Sequence, residues 1–177
     1  FKQLDKKTKI LSHKIDGKFL KKGTVILKLK AKTQSILAAE RSALNFLGLM
    51  SGIATKANLF SKIAKPYGVK IFSTRKTIAG IRELQKYALT KGGANINRMT
   101  LDDFFFIKDN HIANTTSIVD SIAQAKIFYP NKKITVEVDN IKQLEEIINE
   151  KIDVVLLDNM NAKQINECLK LVKGKFK

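Results

Sequence analysis

At 177 residues, with 44% apolar and 28% charged side chains, the chain has the composition of a soluble globular protein rather than of a disordered segment. Its net charge of +17 could serve a nucleic-acid or membrane surface, but the Lys residues are spread along every segment without interleaved aromatic residues, which favours an ordinary solvated surface. The single Cys excludes an internal disulfide framework and fits a reducing cytoplasm, and no uncharged stretch reaches the ~20 residues of a membrane-spanning helix.

Two turn signals, Asp16-Gly17 and Lys22-Gly23, interrupt the first part of the chain. Residues 24–30 follow, and their side chains end in the apolar and polar alternation that is typical of a half-exposed strand. The beginning of the chain is therefore expected to be rich in strand.

A long region of helical periodicity comes next and predicts two helices. Apolar side chains recur at helical spacing over residues 34–49, with Thr33 as the expected N-cap and Ser51-Gly52 as the expected end. A second helix is expected over residues 53–64, because Pro66 and Gly68 then stop it. Arg41 lies within the first of these helices.

Beyond Gly68, short apolar segments alternate with amphipathic ones four times. The expected strands are residues 69–72, 104–107, 134–138 and 154–157, and the expected helices are residues 81–90, 117–128, 141–150 and 162–172. This alternation predicts parallel strands joined by right-handed crossover helices, with the strands covered on both faces. Cys168 falls in the last helix, where a buried structural thiol is expected.

Polar residues stand where these strands end. Thr74-Arg75-Lys76 follow the first strand, Lys108 follows the second, Asp158 follows the fourth, and Glu137 lies within the third. Because the carboxyl ends of parallel strands line the functional edge of such sheets, these side chains are expected to share one site. The alternative is that they only cap turns and helices. Against it, a Glu inside an apolar strand is costly unless it is paired.

Nearly all basic residues of this chain are Lys, so the few Arg residues mark positions where a guanidinium is needed. The four are Arg41, Arg75, Arg82 and Arg98. A guanidinium is a planar, bidentate donor that suits carboxylates and phosphates. The predicted pocket for an anion consists of Arg75, Lys76, Arg98 and Lys108. The carboxylates of Glu137 and Asp158 suit sugar hydroxyls, a developing cation or a magnesium ion.

An ordered series of short motifs, from about residue 16 to the end, resembles the quinolinate phosphoribosyltransferase family. The motifs are Glu40-Arg41-Ser42-Ala43-Leu44-Asn45, Ser51-Gly52-Ile53-Ala54-Thr55, Thr74-Arg75-Lys76-Thr77, Lys86-Tyr87-Ala88, Gly92-Gly93, Asn97-Arg98, Ile107-Lys108-Asp109-Asn110-His111, Val136-Glu137-Val138 and Leu157-Asp158-Asn159-Met160. One motif alone is a weak signal, whereas all of them in this order form a specific one.

The resemblance implies an α/β fold: an incomplete α/β-barrel of parallel strands with crossover helices over residues 67–177, preceded by part of an N-terminal α/β-sandwich domain and linking helices over residues 1–66. It implies phosphoribosyl transfer from phosphoribosyl pyrophosphate to quinolinate with decarboxylation, and magnesium as cofactor. The products would be nicotinate mononucleotide, pyrophosphate and carbon dioxide, as in NAD biosynthesis. A cytoplasmic homodimer or higher homo-oligomer is expected, with neither nucleic acid nor membrane as a partner.

The resemblance also implies roles for single residues. The implied catalytic residues are Lys108, Glu137 and Asp158. Substrate binding is implied for the same three and for Arg41, Thr74, Arg75, Lys76, Asn97 and Arg98. Magnesium is expected near Glu137 and Asp158, held mainly by the substrate, and Arg41 is expected to reach the neighbouring subunit's site.

Three residues depart from the family pattern, and one of them, Ala79 in place of the usual Pro, is expected to affect only the start of a helix. Ser73 stands where the family usually has Asp, and Asn97 stands where it usually has His. These departures leave open a related phosphoribosyltransferase that acts on a different pyridine or anionic acceptor, and a basic nucleic-acid-binding domain is the more remote alternative. The family's glycine-rich phosphate loops are expected beyond Lys177, so the chain is interpreted as a piece of a longer protein.

Overall fold

The structure is a computed structural model that describes residues 1–176. Two compact units are distinguished, and the second begins at Thr100. Unit 1 contains β1 (Lys9–His13), β2 (Leu27–Lys30), α1 (Thr33–Ala64), a 3-10 turn (Lys65–Tyr67) and α2 (Arg82–Lys91). Unit 2 contains β3 (Phe105–Ile107), α3 (Asp109–Ile112), α4 (Ile118–Phe128), β4 (Ile134–Val138), α5 (Ile141–Ile147), β5 (Val154–Leu157) and α6 (Ala162–Val172). The domain boundary expected after residue 66 stays a prediction.

Strands β1 and β2 form an antiparallel pair at the beginning of unit 1. Asp16-Gly17 forms a turn between them, and the φ of 85° at Gly17 lies in the left-handed region that favours glycine. The Tyr87 hydroxyl on α2 donates to Asp16 Oδ2 at 2.7 Å, and this hydrogen bond raises the pKa of the phenol. The contact connects the loop of the strand pair to α2.

Helix α1 is a single helix of 32 residues, so the two-helix prediction is wrong. Ser51 and Gly52 do not end it, because a lone glycine costs only about 1 kcal/mol inside a helix and the helical pattern resumes directly after it. The N-cap is Lys32 rather than Thr33, and no side chain caps this end. Pro66 and Gly68 follow the helix as expected, and Gly68 has a φ of 69°.

The strand predicted over residues 69–72 does not form. A strand needs a continuous ladder of hydrogen bonds with a neighbour, and here Phe72 forms one isolated parallel bridge with Asn95. Asn95 N donates to Ile71 O at 2.7 Å, and Ser73 N donates to Asn95 O at 2.8 Å. These two bonds fix the backbone that enters the Thr74-Arg75-Lys76 segment, although the segment before it is not a strand.

Helices α1 and α2 come very close at Gly92, which follows the end of α2. A Cβ atom at Gly92 would lie 2.3 Å from Ala54 O and 2.6 Å from Ala57 Cβ. Asn58 Nδ2 donates to Gly92 O at 3.3 Å. Glycine is therefore required here by the backbone of α1 rather than by the backbone conformation of Gly92 itself.

We expect Gly92→Ala to lower the free energy of unfolding by about 2–3 kcal/mol, because the methyl group must displace helix backbone. Gly48→Ala is the matched control, since a Cβ at that exposed helical position meets nothing within 4 Å. That variant should gain about 0.5–1 kcal/mol from helix propensity. Urea unfolding of the two variants measures both effects, and equal midpoints would contradict the close approach.

Unit 2 is built around a three-stranded parallel sheet in the order β3-β4-β5. Helix α4 connects β3 to β4, and α5 connects β4 to β5. Ser117 and Asn140 cap these two helices by accepting backbone N–H bonds. The bounds of β4, β5 and α6 agree with the prediction, and the predicted parallel strands with crossover helices are present.

The two faces of this sheet differ in chemistry. The buried apolar core includes alternate strand residues, Ile107, Ile134, Val136 and Val138, packed with residues of α4, α5 and α6. The intervening residues point to the opposite face, because successive side chains of a strand alternate. Strand β4 is buried at all five positions, yet Thr135 and Glu137 lie on the side away from these helices.

The thiol of Cys168 lies in this core, as expected, and has no exposed surface. Burial raises its pKa, so less of the reactive thiolate is present at a given pH. We expect an aromatic disulfide reagent at pH 8 to label the folded protein at least about a hundredfold more slowly than free cysteine. Guanidinium should restore full reactivity, and rapid labelling without it would contradict this burial.

Candidate active site

One face of the unit 2 sheet carries the predicted catalytic residues. The register pairs Phe106 with Thr135 and Glu137 with Leu156, so partners in neighbouring strands share a face. Lys108 follows β3 by one residue and continues this row opposite Glu137, while Asp158 lies two residues after Leu156 on the same face. We call this set the site face: Phe106, Lys108, Thr135, Glu137, Leu156 and Asp158.

Lys108 and Glu137 form an ion pair at the centre of the site face, in which Lys108 Nζ donates to Glu137 Oε2. The Glu137 side chain is 10% exposed, whereas that of Lys108 is 37% exposed. The partner that a Glu within an apolar strand requires is therefore Lys108. The pair places a positive and a negative group side by side where strands β3 and β4 end.

Two further contacts orient Lys108. Its backbone N–H donates to His111 Nδ1 at 3.1 Å, and the backbone N–H of His111 donates to Lys108 O at 2.8 Å at the start of α3. Its ammonium lies 4.6 Å from the centre of the Phe106 ring, within cation–π range. His111 and Phe106 therefore help to position Lys108, a role that the sequence did not predict for them. His111 does belong to the motif Ile107-Lys108-Asp109-Asn110-His111.

Asp158 continues the site face beyond β5. Its backbone N–H donates to Val138 O at 3.0 Å, which extends the parallel pairing by one bond. Asn159 Nδ2 donates to Asp158 Oδ2 at 3.1 Å, and Asn159 itself has a φ of 52°. The structure thus brings Lys108, Glu137 and Asp158 together on one face, and their catalytic roles stay a prediction.

The predicted anion-binding residues Thr74, Arg75 and Lys76 lie in a loop of unit 1. Arg75 is half-buried, and its Nε is a buried donor without a hydrogen-bond partner among residues 1–176. The Thr74 hydroxyl accepts from Lys76 N at 3.1 Å, which folds the loop on itself. A buried guanidinium nitrogen without an acceptor is costly, and an anionic ligand would supply that acceptor.

The remaining predicted residues also lie in unit 1. Arg98 is half-buried and its carbonyl accepts from Lys86 Nζ, whereas Asn97 is exposed. Arg41 is exposed on α1. The meeting of these unit 1 residues with the site face at one site stays a prediction.

A cavity of about 470 Å³ opens between α1 and α2 of unit 1, with Asp16, Phe46 and Tyr87 among its lining residues. None of the predicted site residues lines it, and its walls are mainly apolar. An apolar wall does not suit a polyanionic substrate. The site face and the loop that carries Thr74, Arg75 and Lys76 are therefore better candidates for chemistry than this cavity.

Two family models cover almost the entire chain. Residues 1–51 match the N-terminal domain of quinolinate phosphoribosyl transferase, and residues 53–177 match the C-terminal domain. The chain belongs to the quinolinate phosphoribosyltransferase family. The predicted family membership is confirmed.

Two curated relatives of this family are more than a third identical to the chain over the region that matches. It is 43% identical to the probable nicotinate-nucleotide pyrophosphorylase [carboxylating] of Methanocaldococcus jannaschii, over 83% of this chain and 53% of the relative. It is 36% identical to the protein of the same name in Bacillus subtilis, over 100% of this chain and 62% of the relative. The chain thus spans between about half and three fifths of the length of these relatives.

The fold also matches solved structures. The chain superposes on NadC from Streptococcus pyogenes with a TM-score of 0.92 and 34% identity, over 99% of this chain and 63% of the other. The nicotinate-nucleotide pyrophosphorylase of Francisella tularensis gives a TM-score of 0.91 and 38% identity, over 97% and 61%. The predicted α/β fold class is confirmed.

Proposed function

We propose that the protein transfers a phosphoribosyl group from phosphoribosyl pyrophosphate to quinolinate and decarboxylates the product, which yields nicotinate mononucleotide, pyrophosphate and carbon dioxide for NAD biosynthesis. The observation that carries the proposal is the Lys108–Glu137 ion pair in a row with Asp158 on one sheet face. Family membership and the names of the relatives support it. No residue of this site needs to act as a nucleophile in this reaction.

The acceptor is a pyridine with two carboxylates, and the cationic residues suit it. Arg75, Lys76 and Arg98 would bind carboxylates, with Thr74 and Asn97 as hydrogen-bonding neighbours. The buried, unpartnered Nε of Arg75 supports this role. Lys108 would bind the acceptor as well, since its side chain is more exposed than that of Glu137, with which it pairs.

The transfer step needs negative charge near the sugar. When the pyridine nitrogen attacks the anomeric carbon and pyrophosphate leaves, positive charge builds on the ribose. Glu137 and Asp158 would contact the ribose hydroxyls and stabilise this charge. The adjacent carboxylate then leaves as carbon dioxide, its bonding electrons pass to the pyridinium ring, and the ring carbon takes up a proton. The work of the protein is orientation and electrostatics.

Magnesium fits this arrangement as a substrate-held ion. Carboxylate oxygens are among its preferred ligands, and Asp158 offers one at the end of the site face, with Glu137 in the same row. Within residues 1–176, no three side chains of the usual ligand types cluster into a metal site. The phosphorylated substrate would therefore supply most of the ligands. When bound, magnesium would stabilise the charge on the departing pyrophosphate.

We further propose that the working unit is a cytoplasmic homodimer or higher homo-oligomer, in which Arg41 reaches the neighbouring subunit's site. Leu37 and Leu44 flank Arg41 on one face of α1, at spacings of four and three residues, and are 64% and 54% exposed. An exposed apolar face around an Arg suits a contact with a second copy. In the part of the chain that the structure describes, even the long α1 is not apolar enough to cross a membrane.

The test is an assay of the purified full-length protein with quinolinate, phosphoribosyl pyrophosphate and magnesium. We expect equal amounts of nicotinate mononucleotide and carbon dioxide, and neither product when one substrate is left out. Asp158→Asn serves as the inactivated control, because it removes a charge from the site face while keeping the shape of the side chain. No product above the level of this control would refute the proposal.

A related activity on a different pyridine or anionic acceptor is the alternative, and Ser73 favours it. The Ser73 hydroxyl is buried and has no hydrogen-bond partner among residues 1–176, at a position next to Thr74 and Arg75. Competition between quinolinate and nicotinate in the same assay separates the two. Preferred turnover of nicotinate, without release of carbon dioxide, would support the alternative.

A further inference from the structure

Helix α2 directs three polar side chains at the two loops that carry Arg75 and Arg98. We call residues 73–78 the Arg75 loop and residues 97–99 the Arg98 loop. Arg82, Gln85 and Lys86 lie at spacings of three and four residues, so they share one face of α2. Each of them forms a hydrogen bond to one of these loops or to both.

Arg82 connects the two loops through a single guanidinium. Its Nε donates to Thr77 Oγ1 at 3.1 Å, and its Nη1 donates to Met99 O at 3.5 Å. The Thr77 hydroxyl in turn donates to Arg75 O at 3.3 Å. The hydrogen-bonded chain therefore runs from α2 to the backbone of Arg75 in two steps. The two acceptors are bound by two different nitrogens of one rigid, planar group, an arrangement that the single nitrogen of a Lys ammonium does not provide.

Lys86 holds the Arg98 loop directly. It is 2% exposed, and its Nζ donates to Arg98 O. A lysine is almost never buried this far unless its ammonium is satisfied, so its position is specified by what it binds. Gln85 completes the set, because its Oε1 accepts from Ile78 N at 2.8 Å at the end of the Arg75 loop.

The backbone of Arg75 is held by this network of hydrogen bonds, but the Nε of its side chain is not. Its backbone is held through Thr77, while its Nε is buried without a hydrogen-bond partner in the described chain. A loop that is fixed while its donor stays available loses little freedom when an anion binds. The Arg75 loop is therefore already ordered around a donor that an anion could use.

We propose that Arg82 and Lys86 are positioning residues that hold the Arg75 and Arg98 loops ready for the anionic acceptor, and that the Arg82–Thr77 hydrogen bond sets acceptor affinity. The acceptor part of this proposal rests on the proposed function, whereas the tethering of the loops does not. Neither residue is proposed to touch the acceptor. Their effect passes through the backbones of Arg75 and Arg98.

Two variants break the connection from opposite ends. Arg82→Lys keeps the charge but loses the fork, and Thr77→Val keeps the shape but loses the hydroxyl. Glu83→Gln, exposed on the same helix, is the control. Hydrogen exchange of the substrate-free full-length protein should show about tenfold faster exchange in the Arg75 loop for both variants, and in the Arg98 loop for Arg82→Lys. The control should exchange like the unaltered protein.

The kinetic readout separates positioning from a general loss of structure. We expect the Michaelis constant for quinolinate to rise about tenfold in both variants, with that for phosphoribosyl pyrophosphate within about twofold of normal. The Michaelis constant of the double variant should be no higher than that of Arg82→Lys alone, because both changes interrupt the same hydrogen-bonded connection from α2 to Arg75. Unchanged exchange in the loops overturns the proposal, and so does faster exchange with an unchanged Michaelis constant for quinolinate. An inactive unaltered protein would refute the proposed function instead, while the exchange data still decide the tether.

Discussion

Arg75→Lys is expected to lower kcat/KM for quinolinate by about two orders of magnitude, because a point charge replaces a bidentate donor in a half-buried position. A hydrogen bond to a charged group contributes about 1.5–3 kcal/mol, which corresponds to about tenfold to more than a hundredfold in rate. The loss should fall on quinolinate rather than on phosphoribosyl pyrophosphate. Steady-state kinetics with each substrate varied in turn measures it.

Stability should hardly change in the same variant. The Nε of Arg75 makes no hydrogen bond within residues 1–176, so Lys removes no such bond at that atom. The urea midpoint should shift by less than the equivalent of about 0.5 kcal/mol. Lys70→Arg, the reverse exchange at a nearby exposed position, is the control and should leave the kinetics unaltered. Normal kinetics in Arg75→Lys would mean that charge alone matters there.

Lys108→Met should destabilise the protein by about 2–3 kcal/mol, because it leaves the carboxylate of Glu137 buried without its partner. Lys126→Met is a closely matched control. Lys126 pairs with Glu150 at 2.8 Å and is 37% exposed, as Lys108 is, but Glu150 is 29% exposed while Glu137 is 10% exposed. We therefore expect a cost below about 1 kcal/mol for the control. Urea unfolding followed by circular dichroism compares the two.

Combining Lys108→Met with Glu137→Gln tests the cause of this loss. If the buried charge is responsible, the double variant should regain much of the stability while remaining inactive. Equal destabilisation by Lys108→Met and Lys126→Met would show that the burial of the carboxylate does not decide the effect.

Much of unit 2 could be predicted from the chain itself. Strands such as β4 and β5 are short apolar runs with clear breaks on either side, so local pattern and tertiary structure agree. The predictions that are wrong concern segments whose structure depends on contacts with residues distant in the sequence. Residues 69–72 have strand-like side chains, but they pair with a neighbouring segment at one position only. Helix α1 continues through Gly52, because a glycine permits a helix to end without forcing it to do so.

The candidate site divides in the same way. Once the strands are placed, the alternation of side chains puts Lys108, Glu137 and Asp158 on one face, and the pairing of Glu137 could be anticipated from the cost of burying it. The burial of Lys86 could not be anticipated. A lysine in an amphipathic helix is normally assigned to solvent, and the Arg98 carbonyl that its ammonium reaches, twelve residues along the chain, is not visible in the local pattern.

The two-sided chemistry of β4 also has a consequence for how the chain tolerates change in length. A shift of this strand by one residue would point Glu137 into the apolar core between the sheet and its helices, and it would bring Val136 or Val138 to the site face. Placing the carboxylate there would cost several kcal/mol, so the group proposed for the chemistry also penalises misaligned strands. Loss of one residue within β4 should therefore be far more damaging than loss of one in the exposed turn at residues 130–133. The charge of Glu137 therefore helps to fix the register of β4, in addition to its proposed part in the chemistry.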